Sequence, residues 1–238
     1  MKKRLFGVLL LAVCGLTGCF NADNGSNIQT SDVMPAVATY NWELGKQTLI
    51  TTWGEIITLT ASPASYLNEG DCVLMQVEVD WDNQPYAEKG YITPTKMVTS
   101  EETIGKTYVP IEEGEPDPED YTFPIVNTVP TNYTLRDVWF VVTTYQTFQN
   151  QEVDYRMELV QTGDYTYDAY LMERSSTATG TTSEGSDLHA FELPSGLFPE
   201  LPASSVERPY ITITLKYYVG SETIWKALES SPMKVYQF

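Results

Sequence analysis

The chain has 238 residues, 42 % of them hydrophobic and 12 % aromatic, with 32 acidic side chains against 14 lysines and arginines and a formal charge of -18. That length allows one large domain or two modest ones, each with a core of its own. The charge argues against nucleic acid as a partner, and against adhesion of the polypeptide itself to anionic lipid headgroups.

Lys2, Lys3 and Arg4 open the chain, an apolar run follows from Leu5 to Leu16, and the small residues Thr17 and Gly18 precede Cys19. This is the layout of a secretory signal peptide. The run has 12 residues, whereas a helix needs about 20 to span a bilayer. Leu16-Thr17-Gly18-Cys19 resembles a bacterial lipobox. The resemblance implies a signal peptide over residues 1–18 and lipid attachment at Cys19, which becomes the first mature residue. One acyl chain holds a protein marginally, at about 0.8 kcal/mol per buried CH₂, and the two or three chains of such lipoproteins hold it permanently. Cleavage removes Cys14 and lipidation uses Cys19, so Cys72 is left as a single thiol and no intramolecular disulfide is expected. The mature chain has 220 residues and a charge of about -21 once the three basic residues are gone.

Residues 19–34, rich in Asn, Gly and Ser, read as a flexible tether. Beyond Pro35 the apolar residues alternate with period two, which predicts strands almost throughout. Val73, Met75, Val77, Val79 and Trp81 share one face, with Gln76, Glu78 and Asp80 on the other. Val153, Tyr155, Met157 and Leu159 alternate with Asp154, Arg156 and Glu158, and Ile211, Ile213, Leu215 and Tyr217 with Thr212, Thr214 and Lys216. Such strands are antiparallel and wet on one side. Val138 to Tyr145 is apolar on both faces, which places it centrally in its sheet. A single helical turn is expected near Thr223 to Glu229.

Between Gly105 and Tyr121, Pro110, Pro116 and Pro118 stand among the carboxylates of Glu112, Glu113, Glu115, Asp117, Glu119 and Asp120. Proline removes ladder donors and like charges repel, so residues 106–120 read as an unpaired linker. The resulting organisation is all-β, with a small barrel over residues 35–105 and a β-sandwich over 121–238. Ser175 to Asp187 reads as a long hairpin loop within the sandwich.

Candidate chemistry is sparse. Gly105-Lys106-Thr107 has the ending of a phosphate-binding loop, without its first glycine or the helix that must follow. Ser231-Pro232-Met233-Lys234 fits S-x-x-K, without the companion motifs. His189 is the sole histidine, and Asp187 shares its face in a strand, but no G-x-S-x-G accompanies them. Zinc lacks ligands of the right type. The stretch from Asp80 begins like a calcium loop, then lacks the glycine at its sixth position and ends at Tyr91 where a glutamate is needed. No catalytic residue, cofactor or metal site is therefore expected. The 16 tyrosines and five tryptophans suit sugar stacking, a protein interface or core packing equally.

The pieces "NEGDCVLMQVEVD" and "GYITPTKMVTS", then "YTFPIVNTV", "LRDVWFVVTTYQT" and "RPYITITLKYY", resemble the NigD-like lipoproteins of anaerobic Gram-negative bacteria. The resemblance implies an N-terminal OB-like barrel and a C-terminal β-sandwich. It also implies a bacteriocin-immunity role, inferred for the prototype from its gene neighbourhood, and it carries no motif of functional residues. The expectation is a non-enzymatic binding protein, lipid-anchored in the cell envelope, at the outer membrane. Its partner is a protein, or, in the alternative reading, a surface glycan. Only Asp23 resembles a surface-export signal after Cys19, which favours the inner face of that membrane.

Overall fold

The computed structural model describes residues 27–59, 67–100, 102–117, 125–126, 131–148, 153–175, 182–200, 209–219, 224–228 and 232–236. Cys19 and residues 1–18 lie outside them.

The first unit is built from β1 (Ile28–Thr30), β2 (Met34–Asn41), β3 (Lys46–Thr51), β4 (Gly54–Ile57), β5 (Cys72–Asp80), β6 (Tyr91–Ile92) and β7 (Lys96–Thr99). β1 and β2 both run antiparallel to β5 and act as one interrupted strand. Ser31 fills the gap: its N–H donates to Val77 O at 2.8 Å, and its Oγ accepts from Val77 N at 3.0 Å. β6 and β7 are a second interrupted strand, broken around Pro94, with β6 parallel to β4 and β7 antiparallel to β5. That strand links the two ends of the β5-β2-β3-β4 path and closes the sheet on itself. Five effective strands in this order, with one parallel pair, make an OB-like barrel. Met34, Ala36, Ala38, Leu49, Ile56, Val73, Met75, Val77 and Val79 fill it. The alternation in β5 is as the sequence predicted, except that Trp81 lies past the strand and is 38 % exposed.

β8 (Lys106–Tyr108) and β9 (Ile111–Glu112) leave the barrel. The sandwich then follows in β10 (Ile125–Val126), β11 (Thr131–Leu135), β12 (Val138–Phe148), β13 (Val153–Gly163), β14 (Thr166–Ser175), β15 (Thr182–Glu192), β16 (Tyr210–Val219), β17 (Ile224–Ala227) and β18 (Met233–Tyr236). One sheet runs β10-β12-β15-β8 with β11 beside β12, the other β17-β16-β14-β13-β9 with β18 beside β16. Between them pack Trp139, Val141, Met157, Leu159, Leu171, Phe191, Ile211, Ile213 and Leu215.

Five expectations are corrected. β16, expected to be antiparallel to its neighbours, is so to β17 and β18 but runs parallel to β14. The supposed tether reaches into the barrel, because β1 and the first residue of β2 fall within residues 19–34. The supposed linker pairs: β8 runs parallel to β15 and β9 parallel to β13. Pro110 lacks a donor but keeps its acceptor, and takes Leu159 N–H at 2.9 Å. Val109 between the two short strands is fully buried in the inter-sheet core. Thr182 to Asp187, read as loop, is strand paired with β12 from Phe148 to Thr143. The turn expected near Thr223 to Glu229 contains β17, an edge strand on β16, so pairing overrides local helical preference.

β12 is central, as expected, for a reason the sequence does not show. Trp139 and Val141 face the sandwich core, while Val138 and Phe140 join Val37, Cys72, Leu135 and Ala190 in a third core, with Ile50, Ile104 and Leu188 packed against it. Val37 and Cys72 belong to the barrel. The two units therefore share a buried seam, with about 1.5–3 kcal/mol contributed by each large apolar side chain it removes from water.

Candidate functional site

The seam is rimmed by polar contacts. Arg136, at the β11–β12 turn, donates from Nη1 to Thr39 Oγ1 at 2.9 Å and lies 3.6 Å from Glu69 Oε1. Lys106, the lysine of the phosphate-loop fragment, sits 3.7 Å from Glu192 Oε1 and against Gly70 of the barrel. It is a seam residue, with no glycine-rich cradle around it. Cys72 is 1 % exposed, and burial pushes its thiol up to about 12, against the pull of Lys106. A thiol so protonated is a packing group and no nucleophile at neutral pH.

The other sequence-selected residues do not converge. His189 lies in β15 with its ring 3.6 Å from that of Tyr155 on the facing sheet, beside Asp187 on the same strand face. No serine in a strained turn joins them among the described residues. Lys234 lies in the last strand, over the Tyr210 ring at 4.3 Å, while Ser231 is outside the described residues. Asp80 closes a tight turn in which its Oδ1 accepts from Asp82 N–H at 3.1 Å. Among the described residues no group of three or more His, Cys, Asp or Glu could hold a metal, and no helix is long and apolar enough to cross a membrane.

The acidic run is fastened to the sandwich. Tyr170 donates to Glu115 Oε2 at 3.1 Å, and Trp225 Nε1 to Pro116 O at 3.3 Å, so residues 113–117 cross the outer face of the β14–β17 sheet. Burial, then the Glu115 carboxylate, raises the Tyr170 hydroxyl. On the sheet face that carries Tyr170, Lys216 pairs with Asp168 at 3.4 Å, and Arg156 pairs with Glu158. Glu158, expected on a solvated face, is only 5 % exposed. Glu112, Glu113 and Asp117 are exposed.

A second surface lies on the barrel. OB-like barrels bind ligands over their second and third strands, here β3 and β4, between the loop that joins the first two strands and the loop that joins the last two. Part of that outer face is covered by the seam, where Val37 and Ile50 meet the sandwich. The two loops remain outside. In the β2–β3 turn Asn41 Oδ1 accepts from Leu44 N at 3.0 Å, and Gly45 supplies the left-handed residue at φ 62°. Asn41 Nδ2 donates to Glu55 Oε1 at 2.9 Å, and Thr48 Oγ1 to the same oxygen at 2.6 Å. Glu43 meets Lys89 of the β5–β6 loop at 2.6 Å, joining the two loops. The Lys89 ammonium holds the Glu43 carboxyl below its usual range, and Glu43 in turn raises Lys89. On this braced turn Trp42 stands 85 % exposed, with Tyr40 edge-on to it at 4.6 Å and 68°. Sequence reasoning missed Trp42. Its signal was the turn "NWELG" between two alternating runs, which puts a tryptophan at a hairpin tip where no core can take it.

No protein-family profile matches the chain, and no curated protein does. Solved structures do. An uncharacterized protein from Parabacteroides merdae aligns over 87 % of this chain and 96 % of its own, at 13 % identity and a TM-score of 0.55. A putative toxin related protein from Parabacteroides distasonis aligns over 88 % and 93 %, at 13 % identity and a TM-score of 0.51. The fold is shared with these proteins. A NigD-like immunity protein from Bacteroides caccae aligns more loosely, over 88 % and 97 % at 10 % identity and a TM-score of 0.43. The barrel followed by a sandwich is the architecture that the resemblance to NigD-like lipoproteins implied.

Proposed function

We propose that the chain is a lipid-anchored, non-enzymatic binding protein of the cell envelope that captures a basic protein partner, as a bacteriocin-immunity factor would. The observation that carries this reading is the acidic surface: a net charge of -18, with Glu112 exposed in β9 and Glu113 and Asp117 exposed on the strap that Tyr170 and Trp225 fasten down. A field of one sign speeds the encounter with an oppositely charged partner and repels others. Acyl chains on Cys19 keep that field at the outer membrane, where a cationic toxin must pass. The test is a crosslinked pull-down of the anchored protein from its own envelope. A basic protein recovered with the wild type, and lost when Glu112, Glu113 and Asp117 are changed together to their amides, supports the reading. Recovery of neutral or acidic partners only, untouched by those changes, contradicts it.

A further inference from the structure

We propose that the lip of the barrel around Trp42 is a binding site for a neutral oligosaccharide, with the Trp42 ring as the platform on which one sugar ring stacks. This site is separate from the acidic strap and does not rest on capture of a basic partner.

Four observations converge on it. The β2–β3 turn and the β5–β6 loop are the two loops between which OB-like barrels take oligonucleotides and oligosaccharides. The charge of -18 opposes the first of those ligand classes, because a polyanion would release few counterions here and meet repulsion instead. It opposes anionic glycans for the same reason. Glu43 and Lys89 neutralise one another at 2.6 Å, so neither of these two groups is left as a bare charge to recruit an ion.

The aromatic geometry suits a ring face. Trp42 is 85 % exposed and touches Tyr40 edge-on, which supports the indole without covering both its faces. The turn that carries the platform is braced: the Asn41 side chain accepts from Leu44 N–H and donates to Glu55, so its backbone has less conformational freedom to lose on binding. Sugar C–H faces stack on such rings, and hydroxyls at the ring edge need acceptors and donors nearby. Glu55 has one oxygen engaged by Asn41 and Thr48, and a carboxylate has about four lone-pair sites in all, so acceptor capacity remains.

The experiment uses the full mature chain in detergent micelles, titrated calorimetrically with maltohexaose, cellohexaose and mannohexaose, and with decalysine as the cationic control. Saturable binding of at least one neutral glycan is expected, weakened at least about tenfold by Trp42→Ala and largely retained in Trp42→Phe. Trp42 packs into no core, so both variants should keep the wild-type unfolding transition, which separates loss of the platform from loss of the fold. The proposal is overturned if no glycan binds up to about 10 mM, if glycan binding survives Trp42→Ala unchanged, or if decalysine alone binds in a Trp42-dependent way.

Discussion

Arg136 of the sandwich donates a hydrogen bond to Thr39 of the barrel at 2.9 Å, from a backbone held at φ 56°. Such a conformation favours glycine, and a side chain there costs roughly 1 kcal/mol. The contact and the strain oppose each other. Arg136→Ala loses the contact and keeps the strain, for a loss of about 1–2 kcal/mol. Arg136→Gly loses the contact and relieves the strain, so chemical denaturation should find it more stable than Arg136→Ala. The reverse order would mean that the turn carries no strain.

Phe140 reports on whether the two units are one folding body. It is fully buried in the seam core with Val37 and Cys72 of the barrel, on the face of β12 opposite the sandwich core. Phe140→Ala should cost about 3–5 kcal/mol and lower the melting of barrel and sandwich together, in a single calorimetric transition. Two separate transitions, only one of them shifted, would show that the seam is a weak contact between independent domains.

The seam was not legible in the sequence, although most strands were. Period-two alternation located β5, β13 and β16, because each sends every second residue into a core. In β12 both faces are apolar, and nothing in a string of residues says that the second face meets another domain. Short pairings escaped as well: β1, β8 and β9 have three, three and two residues, too few for any period, and are held by backbone contacts that side-chain chemistry does not announce. The first half of β15 is Thr, Ser, Glu and Gly, loop-like in composition, and is a strand because β12 offers it a full ladder. At the barrel lip the turn itself was legible, whereas the brace between Glu43 and Lys89, 46 residues apart, was not.

Cys72 gives a pH signature. Its thiol titrates near 9.0 when unfolded and at about 12 when folded, so between those values the folded state holds more protons and rising pH favours unfolding. The contribution is absent below the unfolded value and grows by up to about 1.4 kcal/mol per pH unit above it. Measured against Cys72→Ala by urea denaturation, the wild type should lose about 1 kcal/mol of relative stability between about pH 8 and about pH 10. A constant difference across that range would contradict burial of the thiol.

The anchor has its own test. If Cys19 carries the lipid, Cys19→Ala moves the protein from the detergent phase to the aqueous phase on Triton X-114 partition, or stalls it as the uncleaved precursor. A processed variant that still partitions with detergent would remove Cys19 as the attachment site.

Association kinetics test the central claim, capture of a basic partner by an acidic anchored protein, most directly. With the partner recovered by crosslinking, the association rate is measured by surface plasmon resonance across a salt series. Charges separated by solvent are screened over about 10 Å at 0.1 M salt and about 3 Å at 1 M. The account predicts that association slows by at least about tenfold over that range while dissociation changes little. An association rate indifferent to salt would contradict it, and would leave the charge of -18 as a device that keeps the protein soluble.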